Sequence, residues 1–157
     1  MSRVTDIIAE VHHLFGHEVG LSDWILIDQR KIDDHARTTG DDSWMHTDPA
    51  RTASESPFGC TIAQSFLVLA CLTDMVAAVE IPIPGIIYRQ NYGFDRVRIV
   101  QPVRVDGRIR GRFELNRIEP KGPHGMLVHL DVSIEIEGDD IAPAAVAEWL
   151  AYVRVGE

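Results

Sequence analysis

The sequence predicts an α+β fold in which a curved antiparallel β-sheet wraps one long central helix, and two observations carry that reading. Residues 60–79 are apolar on nearly every side, with Ile62, Phe66, Leu67, Val68, Leu69, Leu72, Met75 and Val76, and a helix hydrophobic all round is usually buried centrally. After Pro82 and Pro84 the pattern changes to period two. It is clearest where Val128, Leu130, Val132, Ile134 and Ile136 alternate with His129, Asp131, Ser133, Glu135 and Glu137, the mark of strands with one dry and one wet face. The dry face must be covered, and only the 60–79 segment is apolar enough to cover it.

The elements follow in order. Ile7, Ile8, Val11 and Leu14 share a helical face over residues 5–14, with Thr5 as a cap and Gly16 as a stop. Residues 23–28 read as a short strand, and 29–38 as a helix with Ile32, His35 and Ala36 on one side, ending at Gly40. Asp48-Pro49 starts a helix over about 49–54, because Asp accepts orphan amide protons and Pro is tolerated at the first helical position. Strands are expected over 86–100, 108–115 after the Asp106-Gly107 turn, 128–136 and 143–155. On one helix, Cys60 and Cys71 would stand roughly 16 Å apart along the axis, far beyond disulfide reach, so both are expected as free, buried thiols.

Composition bounds the function. With 157 residues, 45% hydrophobic and 25% charged, the chain suits one compact domain spanning residues 1–157 and excludes fibrous or wholly disordered classes. Two cysteines are too few for a disulfide scaffold or a multi-thiolate zinc site. No apolar run is long enough to span a membrane, and the stretch with Arg3, Asp6 and Glu10 lacks the long apolar region of a signal peptide, so no export is expected. No membrane partner and a cytoplasmic location are expected. The net charge of −9 argues against a nucleic-acid partner, since such affinity comes from clustered Lys and Arg. One segment departs from that balance: residues 89–121 hold nine of the fifteen basic residues and four of the twenty-four acids. It reads either as a solvated strand face or as a docking strip for a phosphate-bearing ligand.

Chemistry-capable residues are densest between Thr38 and Ser65. Gly40-Asp41-x-Ser43-Trp44-Met45-His46 resembles the Gly-Asp-x-Asn-Pro-hydrophobic-His signature of the MaoC-like, R-specific enoyl-CoA hydratases of the hot-dog fold. The likeness continues through Pro57-Phe58-Gly59-x-Thr61-Ile62-Ala63. Asn91-Tyr92-Gly93 and Val146-Ala147-Glu148-Trp149-Leu150 look like the branch related to the nodulation protein NodN. The resemblance implies a hot-dog fold and a hydro-lyase of fatty acid metabolism that adds water reversibly to trans-2-enoyl thioesters, giving (R)-3-hydroxyacyl thioesters. It makes Asp41 and His46 the dyad that binds the water attacking C3. It also places the oxyanion donor at a backbone N–H near Ser65, with Ser43, Gln64 and Asn91 among the substrate-binding residues. No metal and no cofactor are implied beyond coenzyme A as part of the substrate, and a homodimer with sheets joined edge to edge is expected.

The chemistry needs such groups whatever the family. Hydration of a conjugated thioester requires a positioned water, a group to take its proton, a donor for Cα and a hydrogen-bond donor for the enolate-like oxygen. Without the motif, Asp41 is a turn residue and His46 a polar residue before a helix. Asp48 reads as a cap, a metal site from Asp41, His46 and Asp48 lacks a third nitrogen ligand, and His12, His13, His124 and His129 are expected to face solvent. The chain departs from the family pattern at Ser43-Trp44, where Asn-Pro is usual, at Gln64-Ser65 in place of His-Gly, and at Ala70 in place of Ser. Ser65 keeps the amide but adds a hydroxymethyl group beside the thioester. Two alternatives therefore stand beside hydration: thioester hydrolysis, and a catalytically silent acyl-thioester-binding protein.

Overall fold

In the computed structural model, which describes residues 3–139 and 141–156, the chain starts with an amphipathic helix, α1 (Arg3–Val11). It buries Val4, Ile7 and Val11 and tightens into a 3-10 turn at His12–Leu14. Two short strands follow, β1 (His17–Leu21) and β2 (Ile25–Ile27), then helix α2 (Gln29–Thr39). Helices α3 (Trp44–Thr47) and α4 (Pro49–Glu55) come next. Asp48 caps α4 as expected, accepting from the Arg51 amide at 2.9 Å.

Four long strands complete the chain: β3 (Ile86–Ile99), β4 (Gly107–Pro120), β5 (Gly125–Ile136) and β6 (Ala145–Val155). Every pairing is antiparallel, in the order β1-β4-β5-β6-β3, with β2 on the other end of β4. The inner face carries Phe113, Leu130, Ile134, Trp149 and Val153 in one core with Val68, Leu72 and Met75 of the central helix. Strand β1 is absent from the expected set because its pattern is broken by Gly20. A side chain there would meet the Ala78 carbonyl, so glycine lets β1 pass beneath the end of the central helix.

The central helix is shorter than its apolar stretch. Helical structure runs through α5 (Ser65–Ala70), α6 (Leu72–Met75) and a 3-10 turn at Val76–Ala78, whereas the sequence predicted a helix from Cys60. The reason is backbone competition. The Ile62 amide donates to the Met45 carbonyl at 3.1 Å and the Ala63 amide to Val103 at 2.8 Å, while Val105 donates to Thr61 at 2.9 Å, so residues 61–63 are committed sideways. Cys60 therefore lies off the helix, and both cysteines are free and half-buried. Nor is the helix buried all round, since Phe66 is 73% exposed.

The outer sheet face answers the question of the basic segment for four of its arginines. Arg108 pairs with Glu137, Arg110 and Arg112 with Glu135, Arg112 also with Glu18, and Arg117 with Glu119 and Glu148. His129 corrects the expectation of solvent exposure: it is 3% exposed, with Nδ1 2.7 Å from a Glu148 oxygen. Its place on the polar side of β5 hides it because Arg117 and Leu150 are its direct neighbours on β4 and β6. That His129 hydrogen bond, reinforced by the Arg117 charge, holds the Glu148 carboxyl below the usual carboxylate range against the opposing effect of burial. Asp95 lies close enough to complete a three-residue cluster with His129 and Glu148.

Candidate active site

The site is assembled by the way α2 ends. Gly40 adopts a left-handed conformation (φ 79°) with its amide on the Ala36 carbonyl, a helix stop that glycine reaches without strain, and it delivers the chain directly into Asp41. Three residues later Ser43 caps α3. Its carbonyl accepts the His46 and Thr47 amides at 2.8 and 3.2 Å, and this single helical turn carries His46 toward the segment ahead of the central helix.

There the imidazole is fixed. Nδ1 of His46 lies 2.7 Å from the Ile62 carbonyl oxygen, and a carbonyl only accepts, so the geometry assigns the proton to Nδ1. In the neutral ring Nε2 then keeps a free lone pair. Gln29 braces the same turn from behind: its amide nitrogen donates to the His46 carbonyl at 2.7 Å while its oxygen accepts from the Thr61 hydroxyl at 2.5 Å. Sequence reading missed Gln29. The available signal was its place as first residue of the helix that leads to Gly40.

Gln64 is 1% exposed, and its Nε2 donates to the carbonyls of Ile32 and Asp41 at 3.2 and 3.1 Å. It ties the backbone of Asp41 to the start of α5. The Asp41 carboxylate has no hydrogen-bond or ion-pair partner among the described residues. Ser65 is the first residue of α5, so its N–H belongs to the set that a helix leaves without an internal acceptor.

Asp41, His46 and Ser65 line one cavity of about 480 Å³, walled by Met45, Ile62, Phe66 and the run from Ile99 to Val103. The other expected site residues stand apart from it. Ser43 is the cap of α3 and Gln64 lies behind the wall, while Asn91 lines a neighbouring apolar groove, where it accepts from the Trp149 indole at 2.7 Å. The arrangement offers a proton acceptor on a fixed ring, an unpaired carboxylate, and an amide donor at a helix start, all on residues that line one open cavity.

Residues 10–135 match the model of the MaoC-like domain. The chain belongs to the MaoC-like dehydratase family. Nodulation protein N of Rhizobium leguminosarum bv. viciae is 39% identical over 147 residues, which cover 94% of this chain and 91% of that protein. The 3-hydroxyacyl-thioester dehydratase Z of Mycobacterium tuberculosis is 36% identical over 146 residues, 93% of this chain and 95% of that one. Among solved structures, the (R)-hydratase of Pseudomonas aeruginosa superposes with a TM-score of 0.69 at 21% identity, covering 91% of this chain and 88% of the other. The fold of this MaoC-like protein is thus the hot-dog fold.

Proposed function

We propose that this MaoC-like protein is a hydro-lyase that interconverts trans-2-enoyl and (R)-3-hydroxyacyl thioesters in the cavity of Asp41, His46 and Ser65. The observation that carries this reading is the Nδ1 anchor of His46 on the Ile62 carbonyl, which leaves Nε2 as the ring's acceptor on a residue that lines the same cavity as Asp41 and Ser65. A water held between Asp41 and Nε2 gives its proton to His46 as its oxygen bonds to C3. The imidazolium so formed, hydrogen-bonded to Ile62 and facing the Asp41 carboxylate, returns the proton to C2 on the same face. The elements of one water are added and the enzyme is restored. As charge builds on the thioester oxygen, the Ser65 amide accepts it as a hydrogen-bond donor that needs no reorganisation. Nothing in this route calls on a metal or redox cofactor, and coenzyme A enters as part of the substrate.

Two further arginines suit its phosphates. Arg98 and Arg104 flank the Ile99–Val103 wall of the cavity in the sequence, and neither guanidinium has a hydrogen-bond or ion-pair partner among the described residues. Replacing either by Ala is expected to raise KM for enoyl-CoA several-fold and leave kcat unchanged.

A homodimer formed along β3 is part of the same reading. This edge strand exposes Ile87 (63%), Tyr88, Tyr92, Val97 and Ile99, and a long apolar edge is a template for pairing with another strand.

The functional test follows the loss of enoyl absorbance with crotonyl-CoA and longer trans-2-enoyl-CoAs, with thiol release read in parallel. Hydration without thiol release supports the proposal. Thiol release would establish a thioesterase instead, and binding without either reaction would establish a silent acyl-thioester-binding protein, the reading that Ser65 in place of glycine favours.

A further inference from the structure

Two apolar cavities lie along the central helix with Thr73 common to both, and the hydrogen-bonded Asn91–Trp149 pair lines the first of them. The first, about 560 Å³, shares Ser65, Phe66 and Ile99 with the catalytic cavity and continues past Leu69 to Phe94 and Trp149. Its only polar side chains are Ser65, Thr73 and Asn91, a lining suited to hydrocarbon rather than to the amides of pantetheine. The second, about 170 Å³, lies farther along the helix beside Val76, Leu130, Ala151 and Val153, and Thr73 borders both.

The linings change over along β3 and β6 near the β3 bulge, where Asn91 pairs with Ala151 and Phe94 with Trp149. Trp149 and Asn91 line the first cavity, whereas Ala151 and Arg89, each two residues farther along the same strand, line the second. The Trp149 Nε1–H donates to Asn91 Oδ1 at 2.7 Å. The indole is held on its other sides by stacking on Phe94 (5.9 Å, 15°) and a tilted contact with Phe113 (6.5 Å), and it is 4% exposed. A ring clamped in this way resists displacement by a flexible tail, and breaking its hydrogen bond leaves the buried N–H unpaired.

We propose that the Asn91–Trp149 pair is the chain-length stop of this protein, dividing an acyl groove that would otherwise run the length of the central helix. The proposal rests on the reading of the Asp41, His46 and Ser65 cavity as the thioester site. From Ser65 to Thr73 the helix advances about 12 Å. An extended hydrocarbon gains roughly 1.3 Å per C–C bond of about 1.5 Å, so a tail of about nine carbons spans the first cavity from Ser65 to Thr73. Longer tails meet the Trp149 ring, and the second cavity stays empty behind it. Loss of the hydrogen bond frees the indole to swing and joins the two spaces.

The test is the affinity of saturated butyryl-, octanoyl-, dodecanoyl- and palmitoyl-CoA, measured by titration calorimetry so that turnover is not needed, beside kcat/KM for the matching enoyl-CoAs. Wild type is expected to bind octanoyl-CoA more tightly than butyryl-CoA and to lose at least tenfold at dodecanoyl-CoA. Asn91→Ala, on an exposed strand position, and Trp149→Phe, which keeps a ring but drops the N–H, should each improve dodecanoyl-CoA binding relative to octanoyl-CoA by at least tenfold over wild type. Wild-type affinity that does not fall beyond octanoyl, or a cutoff unchanged in both variants, overturns the stop. The underlying reading fails separately: binding with the expected cutoff but no hydration removes the activity and leaves the stop, whereas failure to bind any acyl-CoA removes both.

Discussion

At the scale of single residues, the proposal gives Ser65 a job that its backbone alone performs, and this makes it testable by an unusual substitution. Ser65 is the first residue of its helix, and Gln64 before it sits at φ −62°, ψ 139°, the extended conformation that a following proline requires. Ser65→Pro therefore deletes the N–H without breaking the helix. It is expected to lower kcat by roughly 10²–10³ with little change in Tm, and a loss below threefold would show that the amide does not hold the oxyanion. Gln64 acts one step back, as a positioning residue. Gln64→Leu leaves the Asp41 and Ile32 carbonyls without their shared donor, so kcat should fall about tenfold while a circular dichroism spectrum stays native. The local motif made Asp41 and His46 legible because they lie five residues apart beside Gly40. The partners that fix His46 are Ile62 and Gln29, 16 and 17 residues from it, and they become visible only when the chain folds back.

At the scale of elements, the limits of α2 and α4 and the alternation of β5 were legible, and the start of the central helix was not. The alternation of β5 located that strand to within a few residues. The apolar run at 60–79 could not reveal that the amides of Ile62 and Ala63 are spent on neighbouring segments, because hydrophobicity does not report hydrogen-bond partners. The same limit hid the polar cluster of the outer face, where β4, β5 and β6 bring Arg117, His129 and Glu148 together across three strands. Its energetics are measurable. The Glu148 carboxyl is held below its ordinary range in the folded state, so it binds its proton more weakly there than in the unfolded chain. That stabilisation is complete above the unfolded carboxylate value of about 4.3 and is lost as pH falls through the lower folded value. Glu148→Gln should cost about 1 kcal/mol at pH 7, read by urea unfolding, and the difference from wild type should be smaller at pH 3. A cost that is equal at both pH values would mean that the ionised carboxylate contributes nothing.

For the whole molecule, the sheet has two very different ends. Short strands β1 and β2 close one edge, while the fourteen residues of β3 leave the other open. Sedimentation of wild type is expected to give a dimer, and Ile87→Lys, which places a charge on that edge, should shift it to monomer. An unchanged dimer in that variant would locate the interface elsewhere. The central claim, that Asp41 and His46 act on one water as a unit, is tested most directly by a double-mutant cycle on kcat for crotonyl-CoA hydration. Asp41→Asn and His46→Ala should each lower kcat by about 10²–10⁴, and the double variant should lose little more than the worse single one, as expected of groups that share a step. Independent, multiplying losses, or a folded His46→Ala protein that keeps more than a tenth of the wild-type rate, would contradict the dyad.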